Sequence, residues 1–190
     1  MGPGSGPACD IVLNTELADS ERRRFQDTAT IRRLLAASRT IAVVGLSTDP
    51  QKASQFVATY LQRHGYRIVP VTPRPGIILG ERAWPDLTSI PFSIDLVNVF
   101  RPAADGAAIA GQAIAIGAPA LWFQLRILAL EAAERAARAG LAVVVDRCLK
   151  MEHGRWSGTL HWAGMNTELI TARKPRLAPI ADPTLRRNGR

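Results

Sequence analysis

Three cations, Lys52, Arg74 and Arg101, each stand shortly beyond a run of apolar, often β-branched residues, at 40–45, 67–71 and 94–100. Gly45, Leu46 and Ser47 open the first of these loops and Ser54 closes it. Thr72 and Pro73 precede Arg74 in the second, and Phe100 precedes Arg101 in the third. Cations and hydroxyls, with a glycine that admits close backbone approach, make a set that grips a polyanion through charge-assisted hydrogen bonds. A helix following the first loop would add its free N–H groups, so a pyrophosphate would be well served there. The full G-x-G-x-x-G is missing, and taken alone the loop is equally an ordinary strand-to-helix turn with a capping serine.

The second loop narrows the chemistry. A site for NAD usually places a carboxylate at the end of the second strand, on the ribose hydroxyls. Here the stretch 71–74 has no acid and carries Arg74 instead. A cation at that point suits a ribose bearing an extra phosphate, either the 2′-phosphate of NADP or the 3′-phosphate of CoA.

Other reactive residue types have structural readings. His64 sits beside Gly65 at a helix end, where a cation favours the helix dipole. His153 and His161 are eight apart with no cysteine or carboxylate to complete a metal pattern, so neither a metal site nor a catalytic set is expected. Asp146 closes an apolar run and is expected to pair with Arg147. Cys148 reads as a small buried hydrophobe. Trp84 and Trp122 read as packing residues.

Elements must exist to place these groups. Residues 31, 34 and 35 share a helical face, with Thr28 or Thr30 as the cap. Strands are expected at 40–45, 67–71, 94–100, 118–123 and 141–146, and helices at 54–64, 104–116 and 130–139. Gly65, Gly117 and Gly140 follow the three helices, as helix-ending glycines do. Pro70 suggests irregular pairing near the end of its strand. Residues 72–81 form a Pro/Gly-rich loop. Strands alternating with helices, joined by right-handed crossovers, predict a doubly wound, mostly parallel Rossmann-like α/β sheet of about five strands flanked by helices. Ligands of such sheets bind beyond the carboxyl ends of the strands, which adds Gln124 after the fourth strand to the candidate wall.

The chain has 190 residues, 47% hydrophobic and 21% charged, enough for one soluble domain with tails. Residues 1–27 read as an N-terminal extension, helical in part over 16–25, residues 28–155 as the ligand-binding domain, and 156–190 as a C-terminal extension. Net charge is +8, but residues 171–190 hold six basic residues against one acid, which leaves that tail at +5 and the other 170 residues at +3. A nucleic-acid partner is therefore not expected of the domain, although the tail keeps that alternative open. No apolar run is long enough for a membrane span, and no signal peptide is expected. Two cysteines far apart, Cys9 and Cys148, point to the reducing cytoplasm. Pro-rich loops and an open sheet edge are compatible with a homodimer.

Taken in order, residues 41–47 (IAVVGLS) with Pro50, Lys52 and Ser54, 65–71 (GYRIVPV) with Pro73, 78–81 (ILGE), 95–101 (DLVNVFR), 122–124 (WFQ) and 146–148 (DRC) resemble the small stand-alone CoA-binding proteins. That family is in turn similar to the CoA-binding domain of the succinyl-CoA synthetase α subunit. The resemblance covers about residues 28–153. It implies a Rossmann-like fold and coenzyme A or an acyl-CoA as the ligand. Gly45 to Ser54 would take the pyrophosphate, Thr72 to Arg74 the adenosine and its 3′-phosphate, and Phe100, Arg101 and Gln124 the remaining wall. The family tends to have a glycine where this chain has Arg126, and an asparagine near Ala129 or Leu130, which bears on the pantetheine end. The expected function is non-catalytic binding of CoA or acyl-CoA. An NADP-dependent oxidoreductase is the alternative enzyme.

Overall fold

Glycine and turn residues punctuate the chain into alternating elements. The computed structural model describes residues 17–156, so the basic tail, Cys9 and His161 lie outside the described residues. The order is α1 (Asp19–Phe25), α2 (Thr28–Ala37), β1 (Thr40–Val44), α3 (Ala53–Arg63), β2 (Arg67–Val71), a short hairpin of β3 (Ile77–Ile78) and β4 (Glu81–Arg82), and β5 (Leu96–Val99). A 3-10 turn at Ala103–Asp105 leads into α4 (Gly106–Ala115). There follow β6 (Ala120–Phe123), α5 (Leu130–Arg138), β7 (Ala142–Val144) and α6 (Leu149–Trp156).

Five strands form one parallel sheet in the order β2-β1-β5-β6-β7. Because successive side chains leave opposite faces of a strand, each strand feeds two cores. Ala42, Val44, Val97, Val99, Leu121 and Phe123 meet α1, α4 and α5 on one face. Ile41, Val43, Leu96 and Trp122 meet α2, α3 and α6 on the other. The expected doubly wound α/β fold is the fold observed.

Local chemistry accounts for the boundaries. Gly65, Gly117 and Gly140 take φ of +88°, +64° and +94° just after α3, α4 and α5, where a side chain would be strained. Asp27, rather than either threonine, caps α2, its Oδ2 accepting the Thr30 N–H at 2.8 Å. Pro70 interrupts nothing. It pairs in register with Val43, and its carbonyl accepts the Trp84 N–H at 2.9 Å on the outer side of β2. The nitrogen that lacks a hydrogen belongs to a residue facing that edge, where no ladder bond depends on it. The first helix is not a loose appendage: Phe25 is buried, its carbonyl accepts the Val145 N–H at 3.2 Å, and Gln26 Nε2 donates to Val145 O at 3.0 Å.

Sequence periodicity does not announce α6, and α6 closes the α3 face. His153 is buried there, its Nδ1 3.0 Å from the Tyr60 hydroxyl, with the rings of His64 and Tyr66 at 5.0 and 5.4 Å and Lys150 Nζ 5.2 Å from the Tyr60 ring. Burial first, and then His64, hold the His153 imidazole below its usual 6.5. A folded-state value below the unfolded one means that acid favours the unfolded chain. The His153 contribution to stability is therefore complete above about pH 6.5 and is lost as pH falls through the folded value. The melting temperature is expected to drop between pH 7.5 and 5, and His153→Gln to flatten that drop. An unchanged pH profile in the variant would remove His153 from the account.

Candidate functional site

From β1 the chain crosses by α3 to β2 at the edge, then returns past β1 to β5. At such a reversal the loops leaving adjacent strands part and open a crevice at the carboxyl edge of the sheet. A cleft of about 650 Å³ lies there, within the range of small-molecule sites. Its walls are residues 44–48 from the end of β1, 71–78 from the end of β2 to β3, Pro85 and Asp86, Arg101 and Asp105 between β5 and α4, and Ala108, Ile109 and Gln112 on α4.

Gly45, Leu46, Ser47, Thr72, Pro73, Arg74 and Arg101 thus come together on one cleft. Lys52, Ser54, Phe100 and Gln124 are not among its lining residues. Lys52 is exposed at the head of α3. Ser54 is buried, and its Oγ accepts the Ser47 N–H at 3.1 Å, so that hydroxyl shapes the loop from behind. Phe100 is half-buried against the α3 side of the sheet. Gln124 is buried with its Nε2 donating to Asn98 Oδ1 at 2.8 Å, a bond between neighbouring strands.

Gly45 sits where three strands meet. Its N–H donates to Val71 O at 2.8 Å, and the next bond along, Phe100 N–H to Val44 O, is also 2.8 Å. Its φ is +87°, and a Cβ would stand 3.0 Å from Arg101 Cδ and 3.2 Å from Cγ. The missing side chain is thus the space in which the Arg101 stem lies. At the far end of that stem, Arg101 Nε donates to Asp105 Oδ2 at 2.8 Å. Between them, Gly45 and Asp105 set the guanidinium, whose two terminal nitrogens form the fork that matches a phosphate.

The lining is not the crown of positive charge that three cations suggest. Two guanidiniums, Arg74 and Arg101, share the lining with two carboxylates, Asp86 and Asp105. Sequence reading missed both acids and also Gln112, whose Oε1 accepts the Leu87 N–H at 3.2 Å. Asp105 had a detectable signal, since it stands four residues after Arg101 on an incipient helix. Asp86 had none, because a long-range pairing delivers it. Trp84 bridges Val71 in parallel, with Thr72 N–H to Trp84 O at 2.8 Å, so Asp86 emerges beside the end of β2.

Residues farther along the edge are occupied structurally. Asp146 makes no ion pair with Arg147. Its Oδ1 accepts the Arg126 N–H at 2.7 Å, while Arg147 Nη1 lies 3.6 Å from Glu152 Oε1. Arg126 has φ +68°, a conformation that favours glycine. Cys148 is packed against the α3-side core, and burial pushes its thiol up, which disfavours the reactive thiolate.

Comparison with known proteins adds the following. A model of a CoA binding domain matches residues 39–154. The uncharacterized protein YneT of Bacillus subtilis is 37% identical over 125 residues, 66% of this chain and 93% of that one. The solved structure of a hypothetical protein from Pyrococcus horikoshii is 36% identical with a TM-score of 0.66, covering 68% of this chain and 91% of that one. An acetate–CoA ligase (ADP-forming) of Archaeoglobus fulgidus is 28% identical over 95 residues, 49% of this chain and 14% of the ligase.

Proposed function

The chain belongs to the CoA-binding domain family, and from that premise we propose that it binds coenzyme A or an acyl-CoA, without transforming it, in the cleft beyond β1, β2 and β5. The observation that carries the reading is the convergence of Gly45, Ser47, Arg74 and Arg101 on one crevice at the reversal of strand order. In this reading the 45–47 loop and the Arg101 fork receive the pyrophosphate. Thr72, Pro73 and Arg74 frame the adenosine, with Arg74 on the 3′-phosphate. Lys52 lends charge from the head of α3, and Ser54, Phe100 and Gln124 act from behind, by holding the loop and the strand ends.

Calorimetry with CoA and dephospho-CoA tests both the ligand and the role of Arg74. A hydrogen bond to a charged group contributes ~1.5–3 kcal/mol, so losing it weakens binding roughly ten- to a hundredfold. Wild-type protein should prefer CoA to dephospho-CoA by about that factor. Arg74→Ala should bind both alike, at the weaker value. Equal affinities in the wild type would remove Arg74 from the 3′-phosphate, and absence of CoA binding would end the reading.

A further inference from the structure

We propose that Asp86 selects the nucleoside part of the ligand by accepting a hydrogen bond from a neutral donor on it, a ribose hydroxyl or the exocyclic amine of the base. The inference rests on the reading of the cleft as a CoA site and assigns it a determinant that neither the charge pattern nor the β2 loop supplies. Of the four charged groups lining the cleft, Arg101 and Asp105 are paired with each other. Asp86 has no ion-pair partner among the described residues. Its carboxylate is oriented from one side only: Oδ1 accepts the Thr88 hydroxyl, the Ser89 N–H and the Ser89 hydroxyl, each at 2.8 Å. Oδ2 has no hydrogen-bond partner among the described residues.

The charge state follows from those bonds. Hydrogen bonds from the Ser89 and then the Thr88 hydroxyl hold the Asp86 carboxyl below its ordinary 3.8, so it is an anion at neutral pH. An ionised carboxylate only accepts. A phosphate at neutral pH offers acceptors and negative charge, so it belongs at Arg74 and Arg101 and not against Asp86. What lies against Asp86 must donate. Position agrees with this chemistry. The bridge of Trp84 to Val71 brings Asp86 to the carboxyl end of β2, where nucleotide-binding sheets place the acid that meets a ribose. In this chain the β2 loop carries Arg74 at that point, and the carboxylate arrives from the neighbouring segment.

The experiment compares CoA with two analogues that each lack one donor, 1,N6-etheno-CoA for the base amine and 2′-deoxy-CoA for the ribose hydroxyl. Binding is measured by calorimetry on the full chain and on Asp86→Asn. The asparagine keeps an oxygen for the Thr88 and Ser89 donors, so the turn is preserved, but replaces the free acceptor with an amide that donates. Wild type should bind one of the analogues about tenfold or more weakly than CoA, and the analogue affected identifies the donor. Asp86→Asn should lose that discrimination. Its melting temperature, close to wild type, shows that the turn has held. Wild-type protein that binds CoA and both analogues alike, or an asparagine variant that keeps the discrimination, overturns the role of Asp86 and leaves the CoA reading standing. Wild-type protein that binds none of the three overturns both.

Discussion

Glu152→Ala is expected to destabilise the fold by about 3–5 kcal/mol, the scale at which removing one partner strands a buried charge. Glu152 is fully buried on α6 between two arginines. Its Oε2 accepts Arg155 Nη1 and Trp156 Nε1, both at 3.2 Å, and its Oε1 lies 3.6 Å from Arg147 Nη1. The arginine side chains are themselves only 15% and 10% exposed for Arg147 and Arg155. Truncation removes the buried anion that Arg147 and Arg155 share. Glu152→Gln retains an oxygen for Arg155 and Trp156 and should cost less than the alanine. Arg155→Ala should also cost less, because Glu152 keeps Arg147. The consequence reaches the cleft through packing. Helix α6 lies on α3 through His153 and Tyr60, and α3 holds the first cleft loop through the Ser54 hydroxyl. Urea unfolding of the three variants checks the order, and a Glu152→Ala loss below about 1 kcal/mol would show that the cluster is relaxed or solvated.

Helix α6 also shows where sequence reading reaches its limit. Its residues, LKMEHGRW, bury Leu149, Glu152, His153 and Arg155 together. An amphipathic pattern registers apolar burial, whereas here three of the four buried residues are polar, paired within α6 and with Arg147 and Tyr60, so periodicity does not register the helix. The strands behaved in the opposite way. Residues 41–44 and 68–71 are covered on both faces, and a fully covered parallel strand is a continuous apolar run that needs no partner to be recognised. The cleft divides along the same line. Residues that directly follow a strand, such as Gly45, Thr72, Arg74 and Arg101, are placed by the fold class alone. Asp86 depends on one tertiary bridge, and the bonded states of Ser54 and Gln124 depend on Ser47 and, across the sheet, on Asn98. Side-chain type told which groups could bind a phosphate, not which were already bonded to the protein.

Gly45→Ala is expected to weaken CoA binding by about tenfold or more, and the origin of that loss separates two functions for the glycine. One is to let the ligand approach the backbone, the role a phosphate loop assigns to glycine. The other is to make room for Arg101, whose Cδ would stand 3.0 Å from the new methyl, with the Phe100 carbonyl carbon at 3.4 Å as a backbone wall beside it. A contact at 3.0 Å is tighter than nine in ten that Cβ atoms make, so the Arg101 stem has to give by a few tenths of an ångström, which its Nε can do only against the Asp105 carboxylate that fixes it. A separate cost falls on folding, since φ of +87° in a residue with a Cβ costs roughly 1–2 kcal/mol wherever Arg101 points. A double-mutant cycle with Arg101→Ala distinguishes the roles. If Gly45 serves Arg101, its replacement weakens CoA binding in the wild-type background and scarcely at all once Arg101 is gone, while the loss of stability is the same in both. If Gly45 serves the ligand directly, the binding losses add. The geometry predicts the first outcome, because what fills the space beside Gly45 is the stem of Arg101.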